Sequence, residues 1–75
     1  MTCIEALQAA KASPMKLGAR PICKTWCLLF DSEGVCFKYF YDLKMSGTQW
    51  YKQHGGTAIF PHDVLAEWET LEVSP

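Results

Sequence analysis

Two basic residues and a tryptophan lie close together in the sequence and could recognise a nucleotide. Arg20 and Lys24 both precede Trp26, with few residues between them. A guanidinium binds a phosphate through two parallel hydrogen bonds, and an aromatic ring beside it can stack on a nucleobase. The same residues could equally be solvated charges on an edge segment next to a core aromatic. The pattern alone leaves a binding and a structural interpretation open.

Further aromatic and acidic side chains could complete such a site. Trp50 and Tyr51 lie within residues 42–56, a polar and glycine-containing stretch that predicts a loop, and loops rarely need large aromatic residues. We expect them to form a lid or to contact a second subunit. Tyr39 falls at strand spacing, where it could line a pocket wall or belong to the core. Asp63 is predicted to accept hydrogen bonds at a helix start, and it could accept them from a ribose or an amine in the same way.

The sequence offers little for catalysis. His54 and His62 are the only histidines, and neither lies next to a serine. Cys27 and Cys36 could act as nucleophiles, but both lie in strand patterns, where cysteine usually serves as a small apolar residue. The glycine motifs that cradle phosphates in nucleotide-dependent enzymes do not occur. We therefore predict a protein that is not an enzyme and needs no cofactor.

The four cysteines, at positions 3, 23, 27 and 36, could bind a metal, form disulfides or stay reduced. Cys23 and Cys27 are the only close pair, and no pair of histidines follows to complete a structural zinc site. Disulfides are typical of exported chains, and the first residues lack the basic start and apolar core of a signal peptide. We expect reduced, mostly buried cysteines, with a metal or a disulfide as alternatives.

Size and composition limit the class of protein. A chain of 75 residues forms a single domain, residues 1–75. A domain of this size buries only about 60% of the surface that its unfolded chain exposes, so its stability is marginal. The chain contains three Trp, three Tyr and four Phe. Together they have more apolar surface than one small core can easily bury. The excess predicts a homo-oligomer interface, a ligand pocket, or both.

Charge and hydropathy exclude two kinds of partner. The net charge of −1 provides no basic field to hold a nucleic-acid backbone. No apolar run approaches the ~20 residues that a membrane-spanning helix needs. We therefore expect a cytoplasmic protein that binds neither nucleic acid nor membranes.

One helix is predicted at the start of the chain. Thr2 and Glu5 have the spacing of a capping box, and good helix formers follow until Ser13 and Pro14 end the helix. Its apolar stripe is narrow and consists of Cys3, Ile4, Leu7 and Ala10. A helix with so narrow a stripe is not stable alone, so we expect it to pack on a sheet.

Four or five strands are predicted from apolar alternation and turn residues. Residues 22–30 and 35–41 form an antiparallel hairpin around a loop at residues 31–34. The other assignments are a short strand at 15–17, a turn or irregular edge at 18–21, and a strand at 57–60.

The end of the chain combines one helical turn with a last strand. Pro61 suits the first turn of a helix, and residues 62–66 are predicted to form that turn with Val64 and Leu65 facing inward. From Trp68 onwards the apolar period is two, which predicts a strand with Trp68, Thr70 and Glu72 on one face and Glu69, Leu71 and Val73 on the other. The sum is an α+β fold: an N-terminal helix on a small antiparallel sheet, with a short helical turn before the C-terminal strand.

The opening and closing segments carry recognisable motifs. Residues 4–11 are IEALQAAK and residues 63–69 are DVLAEWE, with an aromatic hairpin and a glycine-containing loop between them. These segments resemble the opening "ALxALKxGK" helix and the closing "DLLAxDWE" signature of the Thoeris anti-defense protein 2 family, a group of small phage domains that also includes an anti-CRISPR protein. The likeness covers the helix and the tail, and the middle matches in layout.

The resemblance implies a phage or prophage immune-evasion protein in the host bacterial cytoplasm. Such a protein binds a nucleotide-derived second messenger, a cyclic ADP-ribose isomer or a cyclic oligonucleotide, and sequesters it without cleaving it. The family assembles as dimers of dimers with pockets between subunits, which implies a dimer or tetramer here. On this basis Trp26 and Trp50 would stack on bases, Arg20 and Lys24 would bind phosphates, and Trp68 would lie in the core. Asp63 would contact a ribose or base, with Tyr39 or Tyr51 along the pocket wall.

Two other classes of function stay open at this point. A protein–protein inhibitor of a host defence enzyme, comparable to an anti-CRISPR protein, would use the aromatic stretch around Trp50 to bind its target. A small redox or metal protein would depend on zinc or on its thiols for stability.

Overall fold

The computed structural model describes residues 1–41, 50–52 and 59–73. Within these ranges the chain forms two helices, α1 (Cys3–Ala12) and α2 (Pro61–Val64), and five strands, β1 (Leu17–Pro21), β2 (Trp26–Phe30), β3 (Cys36–Tyr41), β4 (Trp50–Lys52) and β5 (Trp68–Glu72). The strands form one sheet in the order β4-β3-β2-β1-β5, and every neighbouring pair is antiparallel. The predicted α+β architecture, with a helix at the start and a helical turn before the last strand, is confirmed. Neither described helix has the length and apolarity to cross a bilayer.

Helix α1 begins and ends where the sequence predicts. The Thr2 hydroxyl accepts from the Glu5 N–H at 3.2 Å, and the Glu5 carboxylate accepts from the Thr2 N–H at 2.9 Å, which completes the capping box. These hydrogen bonds from Thr2 lower the pKa of Glu5 below its usual value. The buried side chains of the helix are Cys3, Ala6 and Ala10. The prediction was wrong for Ile4, which is exposed, because the helix face that packs on the sheet is the one that carries Cys3, Ala6 and Ala10.

Strand β1 corrects the prediction for residues 15–21. The short strand predicted at 15–17 and the irregular edge at 18–21 are wrong, because Leu17–Pro21 forms a strand in the interior of the sheet. Every residue of β1 pairs with β5, from Leu17 opposite Glu72 to Pro21 opposite Trp68. Pro21 is the last residue of β1, so the N–H that proline lacks removes a ladder hydrogen bond only at the end of the strand.

The central hairpin is confirmed, with a shorter first strand than predicted. Strand β2 begins at Trp26, since residues 22–25 belong to the turn that follows β1. At the predicted loop, the Asp31 carboxylate accepts from the N–H groups of Glu33 (2.9 Å) and Val35 (2.8 Å). Gly34 adopts a φ of 85°, which is the left-handed conformation that this loop requires.

The structure corrects the loop predicted at residues 42–56 and the strand predicted at residues 57–60. Trp50–Lys52 is an edge strand that pairs with β3, whereas the sequence predicted a loop throughout residues 42–56. Of the strand predicted at 57–60, Ile59 and Phe60 lie in no strand, and the other two residues lie outside the described ranges.

The pleat of the sheet separates two groups of buried side chains. The helix-side core lies between α1 and the sheet and consists of Cys3, Ala6, Ala10, Ala19, Trp26, Leu28 and Trp68. The opposite-side core consists of Cys27, Leu29, Tyr39 and Val73. Trp68 and Val73 fall on opposite faces of β5, as the period-two pattern of the tail predicts.

The turn between β1 and β2 contains a strained residue, which gives a stability prediction. The Lys24 N–H donates to the Pro21 carbonyl at 3.2 Å, and Cys23 in this turn has a φ of 71°. A side chain in the left-handed region costs about 1 kcal/mol, which glycine avoids. Cys23→Gly is expected to raise the free energy of unfolding by about 0.5–1 kcal/mol in a urea titration.

A matched control separates this effect from a general response to glycine in turns. Ser32 lies in the hairpin turn, is also exposed, and has no left-handed backbone. Ser32→Gly should be neutral or slightly destabilising. Equal stabilisation by both substitutions would contradict the role assigned to the Cys23 backbone.

Candidate functional site

The residues predicted to bind a ligand all lie at or near one end of the sheet. In an antiparallel sheet the last residues of β1 and β3 share an end with the first residues of β2, β4 and β5. The register confirms this arrangement, with Pro21 opposite Trp68, Trp26 opposite Phe40 and Tyr41 opposite Trp50. We call this region, with α2 and the β1–β2 turn, the ligand end. The predicted residues at or near it are Arg20, Lys24, Trp26, Tyr39, Trp50, Tyr51 and Asp63.

Arg20 is held in a fixed position by two acceptors. Its Nε–H donates to the Glu69 carboxylate at 2.7 Å, and an Nη1–H donates to the Lys24 carbonyl at 2.8 Å. Glu69 lies directly opposite Arg20 across the β1–β5 pairing. The guanidinium is partly exposed, and its other N–H groups have no partner among residues 1–41, 50–52 and 59–73. A fixed guanidinium whose other donors find no partner among the described residues has the geometry in which arginine binds an oxyanion.

Lys24 adds a second positive charge beside Arg20. Its backbone carbonyl fixes Arg20, and its side chain is exposed at the β1–β2 turn. Glu69 neutralises part of this charge, because its carboxylate pairs with Arg20. The ligand end therefore carries two cationic side chains close to the carboxylates of Glu69, which pairs with Arg20, and of Glu67, which is exposed and pairs with the Met1 ammonium.

Tyr39 and Cys27 occupy the same face as Arg20, but they lie in the core. Both side chains are buried and pair directly across β2 and β3. Burial raises the pKa of the Cys27 thiol to about 12, against the opposing effect of the nearby Arg20 charge. Burial also raises the pKa values of Cys36 and Cys3. Thiols in this state are poor nucleophiles at neutral pH.

Trp26 lies on the other face of the sheet, in the helix-side core. Its ring meets the Trp68 ring edge to face, with centroids 6.1 Å apart. The Lys38 ammonium lies 4.3 Å from the centroid of the Trp26 ring and 5.6 Å from that of Phe40. For Trp26 to stack on a base, as predicted from the sequence, Lys38 would have to move away from it.

Asp63 fastens α2 to the sheet. Its carbonyl accepts from the Trp68 Nε1–H at 2.7 Å and from the Ala66 N–H at 3.2 Å. Its carboxylate accepts from the Phe60 N–H at 3.4 Å, which confirms the predicted contact with helix-start donors. The other carboxylate oxygen is buried, and the His62 Nε2 lies 3.4 Å away without forming a hydrogen bond. In this conformation the carboxylate is covered, so its predicted contact with a ribose or base would require α2 to move.

The sequence prediction missed the aromatic pair at the start of α2. The Phe60 and His62 rings are stacked in parallel, with centroids 5.7 Å apart, and both side chains are exposed. The prediction that Val64 and Leu65 face inward is wrong, since both are exposed. A proline between two aromatic residues was the only available signal.

Trp50 and Tyr51 take part in the ligand end through their backbones. Trp50 pairs with Tyr41 and Tyr51 with Phe40, at the edge of the sheet. Their side chains lie outside what the structure describes, so the predicted lid and wall contacts stay predictions.

The opposite end of the sheet holds a groove but none of the predicted residues. It measures about 430 Å³ and is lined by Ser13, Lys16, Leu17, Glu72 and Val73. Its charges are of both signs, so it selects no clear class of ligand.

The described cysteines and acidic residues do not form a metal centre. The four cysteines are unpaired, and in the part of the chain that the structure describes no three His, Cys, Asp or Glu side chains converge as metal ligands do. The chemistry available at the ligand end is that of the Arg20 and Lys24 cations, for which an oxyanion is the complementary group.

The molecule thus belongs to the small α+β domains in which one helix covers an open antiparallel sheet. Comparisons with protein-family models, with curated proteins and with solved structures found no match to this chain.

Proposed function

We propose that this protein binds a nucleotide-derived immune second messenger, a cyclic ADP-ribose isomer or a cyclic oligonucleotide, and sequesters it without cleaving it. In this proposal it serves a phage or prophage in evading defence in the host bacterial cytoplasm. The observation that supports it is the Arg20 guanidinium, held by Glu69 and the Lys24 carbonyl, whose other N–H groups find no partner in the part of the chain that the structure describes.

The fixed position of Arg20 favours binding of a phosphate. Ordering a long side chain costs free energy when a ligand binds, and here the protein has already ordered it. The remaining N–H groups can engage two phosphate oxygens together, which a lysine cannot do. The exposed Lys24 ammonium would add charge attraction to a second phosphate.

Aromatic contacts would come from more than one chain. Arg20 and Trp26 lie on opposite faces of the sheet, so one copy cannot place both on a single small ligand without rearrangement. A second copy at the ligand end would supply the missing wall, which agrees with the proposed dimer or tetramer. Sequestration also demands high affinity, because a site removes a messenger only when its Kd lies below the free concentration at which that messenger acts.

The test measures nucleotide binding by wild type and by charge variants of the ligand end. Isothermal titration against cyclic ADP-ribose isomers and cyclic dinucleotides should give binding that Arg20→Ala weakens about 10- to 30-fold, since a charged hydrogen bond contributes roughly 1.5–2 kcal/mol. Glu69→Gln keeps an acceptor for Arg20 and removes a competing charge, so its affinity should equal or exceed wild type. Chromatography of the released ligand should recover it intact.

Lys11 on helix α1 provides the control, because it is exposed and lies far from the ligand end. Lys11→Ala should bind as wild type does. If no nucleotide of the panel gives heat with wild type, the proposal is wrong. If Lys11→Ala weakens binding as much as Arg20→Ala, the attraction is a property of overall charge rather than of this site.

A further inference from the structure

The outer edge of β5 carries backbone groups that point away from the rest of the sheet. The Ile22 N–H donates to the Glu67 carbonyl and the Val73 N–H donates to the Lys16 carbonyl, each at 3.0 Å. Residues of an antiparallel strand direct their backbone groups alternately to the two sides, so the odd-numbered residues from 67 to 73 face β1. The other three residues of β5 direct their N–H and C=O groups outward: Trp68, Thr70 and Glu72.

Met1 occupies the first position of this edge as a paired strand residue would. The Trp68 N–H donates to the Met1 carbonyl at 2.8 Å, and the Met1 ammonium donates to the Trp68 carbonyl at 3.2 Å. This exchange of two hydrogen bonds is the pattern of a directly opposed pair in an antiparallel ladder. The outer edge of β5 therefore accepts an extended backbone.

The next two positions along the edge are open. The outward N–H and C=O groups of Thr70 and Glu72 have no partner within residues 1–41, 50–52 and 59–73. Thr70 is half-buried and Glu72 is exposed, and α1 covers a face of the sheet rather than this edge. Unpaired strand edges are templates for pairing with another chain. Strand residues advance ~3.4 Å each, so an extended segment of about five residues would reach both positions.

The side chains beside the open positions indicate the chemistry of a segment that would pair there. Glu72 forms no ion pair within the described ranges, although Lys16 lines the same groove of about 430 Å³. Leu71 points to the other face and packs half-buried against the opposite-side core. Directly opposed residues share a face, where opposite charges or two apolar side chains stabilise the pairing. A fitting segment therefore has a basic residue opposite Glu72 and an apolar residue opposite Leu71.

We propose that the outer edge of β5 binds an extended, basic segment of another protein as an additional antiparallel strand. The backbone groups of Thr70 and Glu72 provide the affinity, and the side chains of Leu71 and Glu72 select the sequence. A second copy paired β5 to β5 fits less well, because residues 67–72 include three glutamates and no basic residue. The contact needs no nucleotide, so its test is independent of the proposed function.

Hydrogen exchange of the protein without ligand tests whether the edge is open. Measured by NMR, the Thr70 and Glu72 amides should exchange at least about tenfold faster than the Leu71 amide, whose N–H faces β1. The Trp68 amide also points outward, but it donates to Met1 and should exchange slowly. This alternation separates an open edge from fraying of the whole strand.

Capped hexapeptides of alternating threonine and valine are the probes for binding, in the absence of nucleotide. A peptide with one lysine near its centre is titrated to about 5 mM, because a short strand binds weakly. It should shift the Thr70 and Glu72 amide resonances and slow their exchange. Glutamate in place of the lysine should weaken binding several-fold. Proline in place of a central valine should weaken it about tenfold or more, because a backbone donor is lost.

Variants of β5 assign the binding to this edge. Glu72→Lys should reverse the preference, so that the glutamate peptide binds more tightly than the lysine peptide. Glu33→Lys is the matched control, because Glu33 is exposed in the hairpin turn and the net charge changes equally. It should bind both peptides as wild type does.

Thr70→Pro tests the backbone contribution. It removes an outward N–H and takes no donor from the β1–β5 ladder, so it should abolish peptide binding while circular dichroism shows a retained fold. The reversal of preference in Glu72→Lys decides the question if Thr70→Pro does not fold.

Three outcomes would overturn the inference. Slow exchange of the Thr70 and Glu72 amides in the protein alone would show that the edge is already covered. Resonance shifts confined to the ligand end, or none with any peptide, would show that the edge accepts no strand. A wild-type dimer, detected by sedimentation equilibrium, that protects these two amides would make the occupant a second copy.

Discussion

Trp68→Ala is expected to lower the free energy of unfolding by about 3–5 kcal/mol, which is most or all of the stability of a domain this small. Trp68 is almost completely buried in the helix-side core, where its ring packs edge to face against Trp26. Its Nε1–H also donates a hydrogen bond to the Asp63 carbonyl, and this bond holds α2 against the sheet. Alanine would leave a large cavity and release α2 from the sheet.

Trp68→Phe separates the two contributions. Phenylalanine retains much of the aromatic packing but has no N–H, so α2 should loosen while most of the core survives. We expect a loss of about 1–3 kcal/mol, measured by urea unfolding followed by circular dichroism. The Asp63 carbonyl would keep its hydrogen bond from Ala66.

Val64→Ala serves as the control, because Val64 lies in α2 and is exposed. It should change the free energy of unfolding by no more than about 0.5 kcal/mol. If Trp68→Ala costs as little as Val64→Ala, Trp68 does not have the structural role assigned to it.

The features that the sequence predicts correctly are those that depend on neighbouring residues. The capping box of Thr2 and Glu5 and the loop closed by Asp31 and Gly34 both use contacts within a few residues. The face on which Trp68 lies follows from the two-residue period of its strand. Local rules of this kind need no knowledge of the rest of the chain.

Strand β1 could not be predicted because it depends on distant partners. Its sequence, with Gly18, Arg20 and Pro21, has a low intrinsic preference for a strand. It becomes an inner strand because β5, at the far end of the chain, pairs with each of its residues. The register between segments so far apart leaves no local signal, and the same applies to Trp50–Lys52 at the sheet edge.

For the candidate site, the sequence indicates the residues but not the side of the sheet on which each one lies. Arg20 and Lys24 are accessible, in agreement with a role in binding. Trp26, Tyr39 and Asp63 are buried, and the first two lie on opposite faces. In α2 a single turn is too short for a reliable apolar period, and Asp63 is buried in place of Val64 and Leu65 because its carbonyl meets Trp68.

Gly18→Ala is expected to destabilise the protein through one specific contact. An added Cβ would lie 2.8 Å from the Cys27 sulfur and 3.0 Å from a methyl group of Val73, both in the opposite-side core. The backbone of Gly18 does not require glycine, so the cost is steric and should be about 2–3 kcal/mol in urea unfolding. Where the space is open, the same substitution in a strand would stabilise by several tenths of a kcal/mol.

A double-mutant cycle with Cys27→Ala tests this cause. Removing the sulfur relieves the closest contact, so Gly18→Ala should cost at least 1 kcal/mol less in the Cys27→Ala background. Relief stays partial, because the added carbon would still lie 3.2 Å from the Cβ at position 27. Gly34→Ala is the control, since Gly34 has a φ of 85° and open space around it. Its cost should reflect backbone strain and be unchanged by Cys27→Ala, and equal coupling at both glycines would refute the steric explanation.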